Sequence, residues 1–373
     1  MGPVALAARR GGGRFLLWIS AFALLAAAFA VDLATGGEVS ASLVYVIVVA
    51  YTAWFLGSVP GLALALLSAL AWLAACVAAG QEFSGTPVLL WNLGAEVAIY
   101  STMALLLGAL RDHVGRIRGL ADRLGEANRR LDHEAQAVGE LQRELLPPAP
   151  PELPGYRWAL HYETSTRAGG DYHDFVVRAD GRVGLLIADA SGHGTPAAVL
   201  MAMTRSLLHV VAADDAAPAA VLARLNRELG RLLPAGWFVT ACYAVLDPAD
   251  GTLEYSLAGH EPPLLLRAEG HALEPVAPRG GPLLGPWPEA EYQAGRTRLA
   301  PGDVLFLYTD GLSEAVNPAG ELLGLDEVCA TLAALPGLQP ETIRDRVLDR
   351  VARHRGAAGA SDDLTLVVLG REP

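Results

Sequence analysis

Lysine is missing from this sequence: all 28 positive side chains are arginine, set against 40 acidic ones. The formal net charge is −12, and no basic stripe lies outside the stretches that flank the apolar N-terminal third. That balance excludes nucleic acid as a partner, because a phosphate backbone needs a surface able to neutralise several phosphates. Cysteine is scarce. Cys76, Cys242 and Cys329 stand far apart; they form neither a disulfide framework nor a zinc knuckle, and they suit a reducing compartment. Charged residues are few, 18% against 52% hydrophobic, and the mean hydropathy of +0.33 is high for a soluble protein. The apolar excess lies at the front of a chain whose 373 residues have room for two or three domains.

Arg14 to Ala34 supplies about 20 mostly apolar residues, enough for a helix to cross ~30 Å of hydrocarbon at ~1.5 Å per residue. A signal peptide is the competing reading. It is weakened by three more apolar runs, Ala41 to Gly57, Gly61 to Gly80 and Val88 to Leu110, joined by short connections. Arg9, Arg10 and Arg14 precede the first run, and Arg111, Arg116 and Arg118 follow the last. The two loops on the other side carry only acids, Asp32, Glu38 and Glu82. This asymmetry predicts four spans over residues 1–110, with the N-terminus and the C-terminal remainder both in the cytoplasm. Glu96, inside the fourth run, is the one carboxylate expected at membrane depth, as a sensing group or as one that faces the bundle interior.

From Ile117 the apolar positions run Ile117, Leu120, Leu124, Ala127, Leu131, Val138, Leu141 and Leu145, spaced alternately by three and four, with Glu134 interrupting. Such a repeat over residues 111–147 predicts a parallel coiled coil between two copies of the chain; a lone amphipathic helix packed on the next domain is the alternative. The prolines of LLPPAPPELPG, Leu145 to Gly155, end the helix.

Residues 148–373 mix strands and helices. RVGLLIAD and VLFLYTD read as short apolar strands, and FVTACYAVLD with TLEYSLAG reads as a hairpin. TPAAVLMAMTRSLLHVVA and PAAVLARLNRELGRLL read as amphipathic helices, and DLTLVVLG as a closing strand. Without a strict βαβ rhythm, an α+β layered fold follows.

GGDYHDF, Gly169 to Phe175, admits three readings: an ordinary turn, a nucleotide-gripping hairpin of the diguanylate cyclase kind, or part of a metal site. Partners elsewhere favour the last. Asp171 lies in this motif, Asp189 ends a strand in IADASGHG, Asp310 ends another in YTDG, and Asp362 and Asp363 open the last strand in SDDLT. Carboxylates at strand mouths, each beside Gly or Ser, suit hard divalent cations, which want oxygen ligands on rigid elements. Gathered without a cation they would repel one another.

In order and spacing these segments resemble the PPM-type metal-dependent serine/threonine phosphatases, in their bacterial SpoIIE/RsbU-like branch. The resemblance runs from LQRELLP through GGDYHDF, IADASGHGTPAAVLMA, FVTACYAVLDPADGTLEYSLAGHEPPLLL and YTDGLSEAVNPAGELLG to SDDLT, nearly all of Leu141 to Leu369. It implies a β-sandwich flanked by helices, and two Mn²⁺ or Mg²⁺ ions that activate a hydroxide for attack on phosphorus. By the same resemblance Asp189 bridges both ions and the Ala190 carbonyl completes one of them. Asp171 and Asp310 hold the second, Asp362 ligates alongside, and Asp363 is the weaker candidate of its pair. The substrate it implies is phosphoserine or phosphothreonine on a small regulatory protein of the anti-sigma-factor antagonist type, and the location is a bacterial inner (cell) membrane. The helical pair from Thr195 to Leu233 carries a switch role in this branch.

Glu261 departs from the pattern, standing in GHEPP where the family commonly has Asn. His193 stands where Lys or another residue is usual, and serves either as a general acid or as a packed loop residue; His173 and His260 have similar bland readings. The contrasting class is a membrane receptor whose phosphatase fold binds a partner without catalysis. Every aspartate position is filled, which speaks against such decay. An enzyme acting on small phosphorylated molecules is the rival within the class.

Overall fold

Alternate residues of a strand point to opposite faces, so a strand apolar on both faces must be covered on both. The computed structural model describes residues 11–35, 42–81, 83–213, 217–269, 272–276, 280–335 and 337–373, and the chain divides into two compact units, Met1–Asn128 and Arg129–Pro373. Arg9, Arg10, Glu38 and Glu82 lie outside the described residues.

The described regular elements of the first unit are helices: α1 (Gly11–Thr35), α2 (Ser42–Phe55), α3 (Ser58–Ala78) and the start of α4 (Thr86–Leu145). By length and composition α1, α3 and α4 are able to cross a membrane. The second expected span, α2, has 14 residues, about 21 Å at ~1.5 Å per residue. Small side chains let these helices close on one another. Ala21, Ala28, Ala53, Ala65, Ala69 and Ala104 are buried in their common core, and a Cβ on Gly61 would stand 2.8 Å from that of Ala53. Asp32 corrects the loop assignment: α1 continues to Thr35 and buries it, where the Tyr45 hydroxyl donates to Oδ2 at 3.5 Å. Glu96 faces other helices, accepting from Ser42 Oγ at 2.6 Å.

No break separates the fourth span from the linker, since α4 runs for 60 residues. Along it Ile117, Leu120, Leu124, Leu131 and Leu141 of the expected seam are exposed. In its last turns Gly139 and Gln142 are buried and the seam residues Val138 and Leu145 are half-buried, Leu145 packing against the core of the second unit.

The second unit holds β1 (Tyr156–Glu163), β2 (Tyr172–Val177), β3 (Val183–Ala190), α5 (Thr195–Val211), α6 (Pro218–Leu232), β4 (Val239–Leu246), β5 (Thr252–Ala258), β6 (Leu264–Leu266), β7 (Leu273–Pro275), β8 (Ala294–Arg298), β9 (Val304–Tyr308), α7 (Leu325–Ala333), α8 (Pro340–Arg355) and β10 (Leu364–Arg371). Two antiparallel sheets form, ordered β1-β10-β9-β6-β7 and β2-β3-β4-β5-β8. Leu185 and Ile187 of β3 join Leu305 and Leu307 of β9 and Val367 and Leu369 of β10 in a core shared by both sheets. The other face of β3, with Leu186 and Ala188, packs with Met201 and Leu208 of α5 and Leu222 of α6. The other face of β9 and β10, with Phe306 and Leu366, packs with Val328 of α7 and Val347 of α8. The result is a sandwich of two sheets with a helical layer outside each, the expected α+β architecture.

Candidate metal and active site

The expected aspartates meet at one end of the sandwich because β9 and β10 are neighbours in one sheet, β2 and β3 are neighbours in the other, and a glycine loop joins the two sheets there. Asp171 directly precedes β2 and is buried. Its Oδ2 accepts from Thr309 Oγ1 at 2.7 Å and Thr365 Oγ1 at 2.6 Å, hydroxyls from beside β9 and within β10. The Thr309 hydroxyl is itself oriented, accepting from Thr365 N at 3.0 Å.

Asp363 is buried too, and protein donors occupy it: Ser165 N at 2.7 Å and Ser165 Oγ at 3.0 Å reach Oδ1, and Gly170 N reaches Oδ2 at 2.6 Å. Asp362, half exposed, accepts among the described residues only the amide of Asp363, at 2.8 Å. The geometry therefore gives Asp363 the work of anchoring a loop and leaves Asp362 the more available of the pair. Asp310 lies beyond the end of β9, in the 3-10 turn Asp310–Leu312, because the chain turns at Gly311, where a Cβ would overlap the Asp363 carbonyl.

Glycine makes the cradle. A Cβ on Gly170 would stand 2.5 Å from the Ala190 carbonyl oxygen and 3.1 Å from Asp189 Oδ1, so both oxygens face a bare α-carbon that no other residue could offer. The Ala190 amide donates in turn to Gly170 O at 3.2 Å.

The charges press on one another. Burial, then Asp310, Asp362, Asp363 and Glu314, push Asp189 up to about 8. Burial, then Asp362 and Glu314, push Asp310 up to about 6, against the Gly311 amide, which lowers it. Burial and Asp189 raise Asp171 well above the ordinary range, although its two threonine hydroxyls favour the charged form. As the side chains stand, no three of the described His, Cys, Asp or Glu residues close a metal shell, so a cation would have to draw the carboxylates inward. Their chemistry fits one: hard oxygen donors, several half-buried, with repulsion that a divalent cation would relieve.

Glu314, four residues after Asp310, is a carboxylate that the sequence reading did not single out; it acts on both Asp189 and Asp310. Glu261 also acts on Asp310, so the departure from the family's Asn lies within reach of the site. His193 is exposed and has no hydrogen-bond partner among the described residues. His173 and His260 are buried, and burial pushes each down to about 4; both are packing residues, His260 with Nδ1 2.8 Å from Thr240 Oγ1. Asp174, the second acid of GGDYHDF, ties β2 to α5: His209 Nε2 lies 2.7 Å from its Oδ2, which the Tyr172 hydroxyl also reaches.

A family model described as Stage II sporulation protein E (SpoIIE) matches residues 179–372, just over half of the chain. The chain belongs to the SpoIIE family. Asp189, Asp310 and Asp362 fall inside the SpoIIE match and Asp171 precedes it. Among curated relatives, Protein IcfG of Synechocystis is 26% identical over 267 residues, 64% of this chain and 41% of that protein. Phosphoserine phosphatase RsbU of Bacillus subtilis is 26% identical over 242 residues, 65% of this chain and 71% of that protein. The chain thus spans well under half of the first of these relatives. Among solved structures, the SiaA-PP2C domain of Pseudomonas aeruginosa matches with a TM-score of 0.56 at 20% identity, over 65% of this chain and 97% of that one, a likeness of fold.

Proposed function

We propose that this SpoIIE-family chain is a membrane-anchored protein phosphatase that hydrolyses phosphoserine or phosphothreonine on a regulatory protein of the anti-sigma-factor antagonist type. What carries the reading is the gathering of Asp171, Asp189, Asp310 and Asp362 at one mouth of the sandwich, where burial and neighbouring carboxylates raise Asp171, Asp189 and Asp310. RsbU, named a phosphoserine phosphatase, supports the substrate class.

Asp189, Asp310, Asp171 and Asp362, with the Ala190 carbonyl, are the groups that would hold two Mn²⁺ or Mg²⁺ ions. When bound, the ions supply positive charge toward the phosphoryl oxygens and acidify a water near neutral pH. The chain's own part is positional. Thr309 and Thr365 fix the Asp171 carboxylate, Asp363 pins the loop that delivers it, and Gly170 keeps the space between Asp189 and Ala190 open. Anchoring is supported by α1, α3 and α4, and a homodimer through the linker by the exposed seam from Ile117 to Leu141. The arginines that flank the apolar third favour an inner (cell) membrane location with the catalytic unit cytoplasmic.

The test is hydrolysis of a phosphoserine protein by the full chain in detergent, with Mn²⁺ or EDTA. Activity that needs Mn²⁺ and falls by at least about 100-fold in Asp189→Asn and Asp310→Asn is the expected outcome. Activity unaffected by EDTA overturns the metal mechanism, and a folded chain inert under every metal favours a partner-binding receptor.

A further inference from the structure

We propose that Gln142 is a positioning residue for the carboxylate cluster, through which the last turns of α4 set the geometry of the Gly169–Asp171 loop. The proposal rests on reading that cluster as a metal site. Gln142 is 3% exposed on a helix whose adjacent Leu141 and Arg143 face outward. Its carboxamide meets both backbone groups of one residue: Oε1 accepts from Gly169 N at 2.9 Å, and Nε2 donates to Gly169 O at 2.7 Å. A neighbouring strand would pair with Gly169 in the same way; here a side chain supplies the pairing. The remaining amide hydrogen goes to the Tyr162 hydroxyl at 3.0 Å, and this complementarity fixes which end of the amide is oxygen. Among the described residues, Gly169 has no other hydrogen-bond partner.

Gly139, one turn earlier, lets the α4 backbone close on the same loop, since a Cβ there would overlap the Arg167 carbonyl oxygen. From the opposite side Asp363 holds Gly170 N and both donors of Ser165. The loop is therefore gripped between α4 and the turn before β10. Gly170, next along, faces Asp189 Oδ1 and the Ala190 carbonyl, and Asp171 follows it. A bidentate pair has one register, so turning or sliding α4 by a residue breaks both bonds to Gly169 together and releases the loop that sets the spacing between Asp171 and Asp189.

The decisive comparison is Gln142→Met, which keeps the length of the side chain and removes all three hydrogen bonds. Mn²⁺ binding to the full chain in detergent is followed by the electron paramagnetic resonance of the free ion, beside melting temperature in EDTA and hydrolysis of a phosphoserine protein. Half-saturation by Mn²⁺ is expected to rise about tenfold, equal to ~1.4 kcal/mol, in the range of one or two net hydrogen bonds. Hydrolysis at saturating Mn²⁺ should recover to within about twofold of the wild type, separating metal capture from turnover. Tyr162→Phe, which removes one of the three bonds, should shift affinity the same way by less. A merely structural glutamine would lower the metal-free melting temperature and leave Mn²⁺ affinity alone, and that result overturns the proposal. Should Gln142→Met not fold, Gln142→Asn withdraws the same amide by one methylene, and unchanged Mn²⁺ affinity there overturns it equally. A wild-type chain that binds no Mn²⁺ refutes the metal-site reading instead, so the two failures are distinguishable.

Discussion

The two units differ most in where their large apolar side chains lie. Inside Met1–Asn128 alanines dominate the core, while large apolar residues face outward: Leu43 is 74%, Val59 75% and Trp91 77% exposed. In Arg129–Pro373 the large residues are inside, Phe306, Tyr308, Leu186 and Ile187 among them. Water drives the second arrangement, because each apolar surface removed from it is favourable. The first makes sense where the surroundings are themselves apolar: helices then gain by close backbone approach, and small residues permit it. The contrast supports the proposed anchoring of the first unit.

The sharpest way to break that comparison is to truncate one large residue in each unit. Phe306→Ala, between a sheet and its covering helices, is expected to cost ~3–5 kcal/mol in denaturant unfolding of the catalytic unit. Trp91→Ala should change the detergent-solubilised chain by less than ~0.5 kcal/mol. An equal loss at Trp91 would mean that its face is packed against protein.

A smaller effect separates the units by pH. Asp189 is pushed up to about 8, so the folded state keeps a proton that the unfolded chain has released at any pH between about 4 and 8. That contribution is fully present below the unfolded value and is lost as pH rises through about 8. His173 and His260, pushed down to about 4 by burial, act in the opposite sense, but only below about pH 6.5, where an unfolded histidine gains its proton. From pH 6.5 to 8.5 the metal-free second unit should therefore lose several degrees of melting temperature, at roughly 2–4 °C per kcal/mol for a domain of this size. Asp189→Asn should flatten the loss and Mn²⁺ should offset it. A flat profile in EDTA would show that the carboxylates do not press on one another.

The smallest effect sharpens the site itself. Glu261 places negative charge near Asp310, and Glu261→Gln is expected to lower KM for a phosphoserine protein about two- to fivefold, under ~1 kcal/mol. Steady-state kinetics that leave KM unchanged would show that the side chain points away from bound phosphate.

Elements with strong local pattern were legible. β3, the β4–β5 hairpin, β9, β10, α5 and α6 matched their expected positions within a residue or two, since both-face apolar runs and amphipathic periods survive any tertiary context. β1 escaped notice because YRWALHYE mixes apolar and polar residues without a run, and β6 and β7 are three residues each. Asp32 was misplaced because an acid near the end of an apolar run looks like the start of a loop, and only the packing of α1 shows it buried. The proposed ligands Asp171, Asp189, Asp310 and Asp362 stood out as Gly- and Ser-flanked acids at strand mouths, and the fold brings them to one end of the sandwich. Glu314 and the threonines beside Asp171 carry no such mark.

The chain's residue order alone determined an apolar helical front, a 3.5-residue linker period, a layered α+β body and a set of aspartates that cation chemistry would gather. Those are local or periodic properties, carried by neighbours within a few residues. The tertiary structure alone decided what each acid does. Asp363 became an anchor because Ser165, 198 positions away, donates to it, and Gln142 became a clamp because the loop 27 positions on fits its amide. A carboxylate or amide takes its role from the donors and charges that meet it, and in this fold those arrive from distant parts of the chain.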